Sequence, residues 1–488
     1  NEIAWIKVNK IEDALKRRNV NGKVLEYSNV ANRVKISVNS DDKVSIIIPS
    51  DSFNNLKNII NSIINKTTYE NYEIIVVTKS SLINDLKKFF TSCPENLIFS
   101  PYDKNFNFSD KCNQGANDSN GRILIFQNDD VNPLINDWIE NLIEFLYYDK
   151  KIGSVSPKLL WENGTIQYAG MTTNVNPFCG TFLNGRDKNE DLANKVRNTS
   201  ILSGACFAIW KEVFNEVGTF NSINTPAGHS DLDLSFKLRD KGYRCVYTPY
   251  STLSHIGNHS WHTKKDKADI YILRKWGKYI SNDPYYTKSM RAMIDGYLPE
   301  QFGIFSSEEY YKPYSFDALI VLQELSVTGS STIVLETAKA IRNNGGYPVI
   351  FSYVDGPFRK EFEKLNISVI INNFAISDDF SFIHFAKNFD IIIANTVVVY
   401  PAIHMIQNLV STIWYIHEAE NIESFFIPHF NNEDLTLKDV LIGTNSHVYV
   451  ASEYSKNVVK KYNNNVKLLK YGIDDLFQDN EIIISDEI

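Results

Sequence analysis

Three short runs of branched apolar residues, each stopped by turn formers, constrain this chain more than anything else in it. Val44-Ser45-Ile46-Ile47-Ile48-Pro49, Tyr72-Glu73-Ile74-Ile75-Val76-Val77 and Arg122-Ile123-Leu124-Ile125-Phe126-Gln127 read as strands buried on both faces of a parallel sheet. Between the first two, Leu56, Ile59, Ile60, Ile63 and Ile64 recur at helical spacing. Strand, helix, strand, helix, strand predicts a doubly wound α/β sheet. Its ligands gather at the carboxyl ends of strands, at Pro49, Thr78 and Asp130.

The pattern starts again at Phe316. Ala318 to Leu322 reads as a buried strand, Ile333 to Arg342 as a helix closed by Gly345-Gly346, and Pro348 to Phe351 as the next strand. Further strands are predicted at 369–371, 391–394, 413–416 and 447–451. Residues 1–43 read as a helical lead-in and 44–264 as the first α/β domain, with its recognisable motifs ending near Trp261. Residues 265–315, rich in Tyr and Trp, read as a helical connector packing on that domain, and 316–488 as a second Rossmann-like domain that is incomplete.

The formal charge of -8 and the lack of any Lys/Arg-dense run argue against nucleic acid as a partner. Five single cysteines without CxxC pairing suggest neither a disulfide framework nor zinc, and fit a reducing cytoplasm. No apolar run reaches the roughly 18 residues that span a bilayer, so any membrane association is expected to be peripheral. Asn1 in place of Met, and the stretch Ile482 to Ile488 without a closing element, read as a fragment of a longer protein.

Chemistry gathers at three places. Asn128-Asp129-Asp130 puts hard oxygen ligands where the sheet opens, suited to Mg²⁺ or Mn²⁺ on a diphosphate; alone it reads equally well as an Asx turn or helix cap ahead of Pro133. Ser230-Asp231-Leu232-Asp233-Leu234 opens an amphipathic helix ending at Lys241-Gly242, and in isolation either Asp is a cap. His255, just past a strand terminated by Pro249, is a candidate imidazole ligand for the same metal. A lone His, however, also reads as structural.

The order of these residues resembles glycosyltransferase family 2, in the bacterial branch that builds surface polysaccharides, over about residues 44–290. The resemblance runs through Val44 to Pro49, Tyr72 to Val77, Asn105-Phe-Asn-Phe-Ser109 with Asn113, Phe126 to Asp130, Pro157 to Leu160, Gly164 to Gly170, Gly204-Ala-Cys206, Asp231 to Leu234, Gly242-Tyr-Arg244, Tyr247 to Tyr250, His255 and Asp283 to Tyr286. It implies a GT-A fold, a nucleotide-sugar donor (UDP- or dTDP-linked) and a divalent metal. It also implies a glycan or lipid-linked glycan acceptor, and work in the cytoplasm or at the inner face of the membrane. By it, Asp130 and His255 hold the metal, Asp129 lies near the ribose or metal, Pro49, Thr78 and Asn113 line the nucleotide site, and Asp231 is the base for a single inverting displacement. One departure stands out: relatives carry Asp after the second strand to bind the pyrimidine, where this chain has Thr78-Lys79-Ser80-Ser81.

The second domain resembles the amino-terminal half of a family 4, GT-B glycosyltransferase over about 316–488. The matching residues are Glu324 to Ser331 with Gly329, Asp355 to Arg359, Ala394 to Thr396, Trp414 to Glu418, Val450 to Glu453 and Tyr471 to Asp474. The resemblance places Gly329, His417 and Glu418 in a cleft. Such enzymes hold the donor chiefly on a carboxyl-terminal Rossmann domain, so this half is expected to be inactive and the parent bifunctional. The competing readings are a degenerate transferase fold serving as a glycan- or nucleotide-binding scaffold, and a nucleotidyltransferase. The Asp231 helix and His255 have no place in the latter.

Overall fold

The computed structural model describes residues 2–28, 31–90, 94–175, 178–257, 267–295, 301–306, 314–373, 380–427 and 434–471. Cys93, Trp261, the Gly472 to Asp474 part of the second resemblance and Ile482 to Ile488 lie outside them. The chain divides into two compact units, Asn1–Ile272 with Asn282–Gly296, and Leu273–Ser281 with Tyr297–Ile488.

In the first unit the lead-in is helical only over Glu2–Arg17; Gly22–Ser28 and Ala31–Ile36 then pair as an antiparallel hairpin. Arg33-Val34-Lys35-Ile36 alternates polar and apolar side chains, the period of a strand, but is too short to stand out from a mixed-charge segment. Arg33 fastens the hairpin by donating to Glu144 at 2.9 Å and Asn141 at 2.6 Å, and the Ile36 amide donates to the other Glu144 oxygen at 2.9 Å.

Among the described residues the main sheet has ten strands, eight along one path and two, Val131–Pro133 and Ile166–Tyr168, paired beside it. Its path runs Arg197–Thr199, Arg244–His255, Ile152–Leu160, Cys206–Trp210, Ile123–Gln127, Val44–Pro49, Tyr72–Thr78, Leu97–Pro101. The last four are mutually parallel; three of them are the strands that the sequence predicts, and Leu97–Pro101 is added. Cys206–Trp210 is antiparallel to both neighbours, so the sheet is mixed. Leu97–Pro101, an edge strand with half-buried Ile98 and Phe99, lacks the continuous apolar run that announced the others. Ile46 and Ile48 pack on one face with Leu56, Ile60 and Trp138, while Ile47 packs on the other with Val77, Phe126 and Phe207. Two covered faces are why most positions in these strands are apolar.

Among the described residues the second unit has an eight-stranded sheet, ordered Phe302–Phe305, Ser368–Asn372, Gly346–Val354, Phe316–Glu324, Ile391–Asn395, Ser411–Ile416, His447–Val450, Lys467–Leu468. All pairings are parallel except that of Phe302–Phe305. The stretch predicted as a helical connector therefore holds the helices Ala268–Ser281 and Lys288–Asp295 and then a strand of this sheet. Four residues, Phe-Gly-Ile-Phe, are too few to carry a periodic signal. Among the described residues no helix is long and apolar enough to cross a membrane.

Candidate active site

The Ile123–Gln127 strand runs out into Asn128-Asp129-Asp130, and the chain turns back as Val131–Pro133, antiparallel to the tail of Arg244–His255. That pairing sets His255 opposite Val131 and brings its Nε2 to 3.3 Å from Asp130 Oδ1. Nδ1 lies 2.5 Å from Gln167 Oε1. When Nδ1 donates there, a neutral ring turns its Nε2 lone pair toward the carboxylate, and a protonated ring donates to it. Two acceptors facing each other call for a proton or a cation between them.

The Gly257 amide donates to the second oxygen, Asp130 Oδ2, at 3.1 Å. Burial pushes the Asp130 carboxyl up, but the hydrogen bond and charge of His255 outweigh it and leave the group below the usual carboxylate range. Asp129 behaves oppositely. Burial raises it, the Asp130 charge adds to this, and the hydroxyl of Ser50, which donates to Asp129 Oδ2, only partly compensates.

Among the described residues no group of three or more His, Cys, Asp or Glu is gathered to cage a cation. A carboxylate and an imidazole do fit a divalent ion that takes one or two protein ligands and fills its shell with phosphate oxygens and water.

Asp231 sits in the first turn of the helix Ser230–Asp240, after His229 in the left-handed region at φ 58°. Its Oδ2 accepts the Gly204 amide at 3.2 Å and its Oδ1 the Leu232 amide at 3.0 Å. The next residue, Ala205, accepts the Asn128 amide at 2.9 Å through its carbonyl. The entry to Cys206–Trp210 thus links the Asp231 helix to the Asp129-Asp130 turn. A Cβ on Gly204 would come within 3.0 Å of Asp231 Oδ2, so the glycine is needed for the carboxylate to seat. Burial raises the Asp231 carboxyl, against the His229 charge and the backbone donors. Asp233, fully buried, is occupied by Lys237 at 2.7 Å and the Tyr271 hydroxyl at 3.0 Å, a structural role.

Three further residues that the resemblance assigns to the nucleotide site have these surroundings. Pro49 is buried at its strand end. Thr78 is fully buried, and its hydroxyl has no hydrogen-bond partner among the described residues. Asn113 uses both ends of its amide on the Phe220 backbone, donating at 2.9 Å and accepting at 3.1 Å; it latches a loop. Conversely, sequence reasoning passed over Ser50, Gln167 and Lys111. Lys111 is completely buried and donates to Asp51 at 2.6 Å and to the Ser50 carbonyl at 3.0 Å. A lysine on the buried face of an otherwise ordinary helix was its only signal.

In the second unit, His417 Nε2 is 2.6 Å from Asn395 Oδ1, and Asn395 donates to Ser330 at 2.6 Å. Glu418 accepts the Val397 amide at 3.1 Å and the His417 amide at 3.2 Å. Burial lowers His417 to about 4 and raises Glu418. The loop at the end of Phe316–Glu324 and the carboxyl ends of Ile391–Asn395 and Ser411–Ile416 meet here, as in other parallel sheets. Gly329 starts the helix Gly329–Asn343, and nothing lies within 4 Å of where its Cβ would be. Crowding by this chain does not demand a glycine there.

Comparison with known proteins covers both units. Residues 45–218 match the family model described as glycosyl transferase family 2, and 315–475 that of glycosyl-transferase family 4. An uncharacterized protein, y4gI of Sinorhizobium fredii, is 30% identical over 51% of this chain and 29% of its own length. The O-antigen biosynthesis protein RfbC of Myxococcus xanthus is 26% identical over 57% of this chain and 23% of its own. The chain thus spans less than a third of either relative.

Among solved structures, GalNAc-T7 with UDP, GalNAc and Mn²⁺ aligns at 18% identity with TM-score 0.42, covering 49% of each chain. The mannosyltransferase PcManGT of Pyrobaculum calidifontis, in complex with GDP-Man and Mn²⁺, aligns at 15% identity with TM-score 0.35, covering 45% of this chain and 58% of its own. On its family matches, the chain joins a glycosyltransferase family 2 segment to a glycosyltransferase family 4 segment.

Proposed function

We propose that the first unit, from about residue 44 to 264, is an inverting, metal-dependent glycosyltransferase. It moves a sugar from a nucleotide donor, UDP- or dTDP-linked, to a hydroxyl of a growing bacterial surface glycan. The observation that carries this is one arrangement: Asp130 facing His255 at 3.3 Å, with Asp231 seated on Gly204 beside the same turn. The O-antigen role in the name of the Myxococcus xanthus relative supports a polysaccharide acceptor. A lipid-linked acceptor would bring the protein to the inner face of the membrane. In this reading the family 4 segment belongs to a second transfer activity of a longer protein, with His417 and Glu418 in its cleft.

Asp130 and His255 would hold Mn²⁺ or Mg²⁺, which when bound neutralises charge on the departing diphosphate. The protein's own steps are then few. Asp231 accepts the proton of the acceptor hydroxyl as its oxygen attacks the anomeric carbon from the face opposite the diphosphate. One displacement on one face inverts the configuration. Ser50 holds Asp129, and the Gly257 amide and Gln167 orient Asp130 and His255.

The test is release of nucleoside diphosphate from a panel of nucleotide sugars with Mn²⁺ or with chelator. Chelator should abolish turnover, and His255→Ala should weaken metal-dependent nucleotide binding while leaving the fold intact. Tight nucleotide binding without turnover on any donor would favour the scaffold reading instead.

A further inference from the structure

The Asp that reads the pyrimidine in family 2 relatives is absent here, and the residue in its place, Thr78, is sealed in the core. The sheet shows what stands nearby. Proceeding from the strand that ends at Asp130, the next strand end is Pro49-Ser50-Asp51, then Thr78, then Pro101. A nucleoside extending from a diphosphate at Asp130 along these ends meets Asp51 before it reaches Thr78. We propose, resting on the transferase reading above, that Asp51, held by Lys111, reads the hydrogen-bonding edge of the donor's nucleobase, and that Phe106 supplies the ring on which the base stacks.

Lys111 has no exposed surface and lies on the helix Phe108–Asp118. Its ammonium grips Asp51 Oδ1 at 2.6 Å and the Ser50 carbonyl at 3.0 Å, and lies 5.2 Å from the Phe106 ring centre. A buried cation is costly unless firmly paired, so this one fixes the Asp51 carboxylate in place. Oδ2 of Asp51 has no hydrogen-bond partner among the described residues, and the side chain is 23% exposed. A carboxylate oxygen fixed in this way suits a base that offers a ring N–H, as uracil, thymine and guanine do. It repels the ring nitrogen lone pair that cytosine and adenine present on that edge. Phe106 is 57% exposed, unusual for so large a ring, and base–aromatic stacking tolerates any base. The two residues would therefore divide the task, Asp51 giving selectivity and Phe106 affinity.

Calorimetry on the full chain with Mn²⁺ tests this, using UDP, dTDP, GDP, CDP, ADP and inorganic pyrophosphate. The wild type should bind the tightest of UDP, dTDP and GDP about tenfold or more above CDP and ADP. Asp51→Asn keeps an oxygen for Lys111, and should cost that ligand about tenfold while levelling the ranking. Pyrophosphate affinity should not change. Phe106→Ala, an exposed change that spares the fold, should weaken every nucleoside diphosphate about tenfold and spare pyrophosphate.

Unchanged affinity and ranking in Asp51→Asn would overturn the inference, as would equal losses of nucleotide and pyrophosphate, which mark a merely structural role. A wild type that binds pyrophosphate with Mn²⁺ yet ranks all bases alike would overturn the inference and leave the metal site standing. A folded wild type that binds neither overturns both.

Discussion

Asp231 rests directly on Gly204: the glycine amide donates to Oδ2 at 3.2 Å, and a Cβ there would stand 3.0 Å from that oxygen and 3.2 Å from Cγ. Gly204→Ala should therefore push the carboxylate aside by a few tenths of an ångström, on a helix with little room to yield. Misplacing a catalytic group by about 1 Å costs up to about 10²-fold, so a fall in kcat of roughly tenfold is expected, with donor affinity near wild type. Steady-state kinetics beside nucleotide calorimetry separate the two. Wild-type kcat would mean that Asp231 is not the base.

Asp231→Asn should lower transfer roughly 10²- to 10⁴-fold, the usual worth of a general base, while the donor still binds. It should also stabilise the protein at neutral pH. Burial raises this carboxyl above its ordinary value, so the native state favours the protonated form. That contribution is complete below the unfolded pKa and is lost as pH rises through the folded one. At pH 7 the ionised carboxylate is thus a cost that the amide removes. Melting at pH 7 and in the ordinary carboxylate range should show the gain shrinking with acid. A variant less stable than wild type at pH 7 would contradict the sign.

What could be read from the sequence follows from burial. Strands covered on both faces, such as Val44–Pro49 and the Ala318 to Leu322 part of Phe316–Glu324, are apolar at nearly every position, and that signal needs no partner to be seen. The hairpin ending at Ile36 and the edge strand Phe302–Phe305 had none, because their membership is set by tertiary pairing. The site divides the same way. Asp130 and His255 were legible as types, but their approach depends on a three-residue strand, Val131–Pro133. Thr78 and Asn113 look like ligand-facing polar residues in one dimension, and only the fold shows one sealed and the other latched to Phe220. Lys111 was illegible because no spacing rule links it to Asp51.

Thr78→Val separates the two accounts of that position. A buried hydroxyl without a partner costs about 1–3 kcal/mol, and valine has nearly its shape. The variant should be neutral to about 1 kcal/mol more stable in denaturant unfolding, with UDP affinity unchanged. A clear loss of nucleotide affinity would restore Thr78 to the site.

The last expectation concerns His417. Asn395 spends its amide hydrogens on Ser330, so its Oδ1 faces Nε2 of His417 at 2.6 Å, and a neutral imidazole with its proton on Nε2 satisfies both. Burial holds the ring's pKa down to about 4, against 6.5 for a free histidine. The unfolded chain therefore takes up a proton between these values that the native state refuses. Stability contributed by the neutral ring is intact above pH 6.5 and lost as pH falls toward 4, a loss on the order of 3 kcal/mol if fully expressed. His417→Gln keeps a donor for Asn395 but cannot titrate. Unfolding of both proteins at pH 7 and pH 4.5 should show the wild type losing distinctly more stability, because carboxylates elsewhere contribute equally to the two. Equal acid losses would mean that His417 protonates in place.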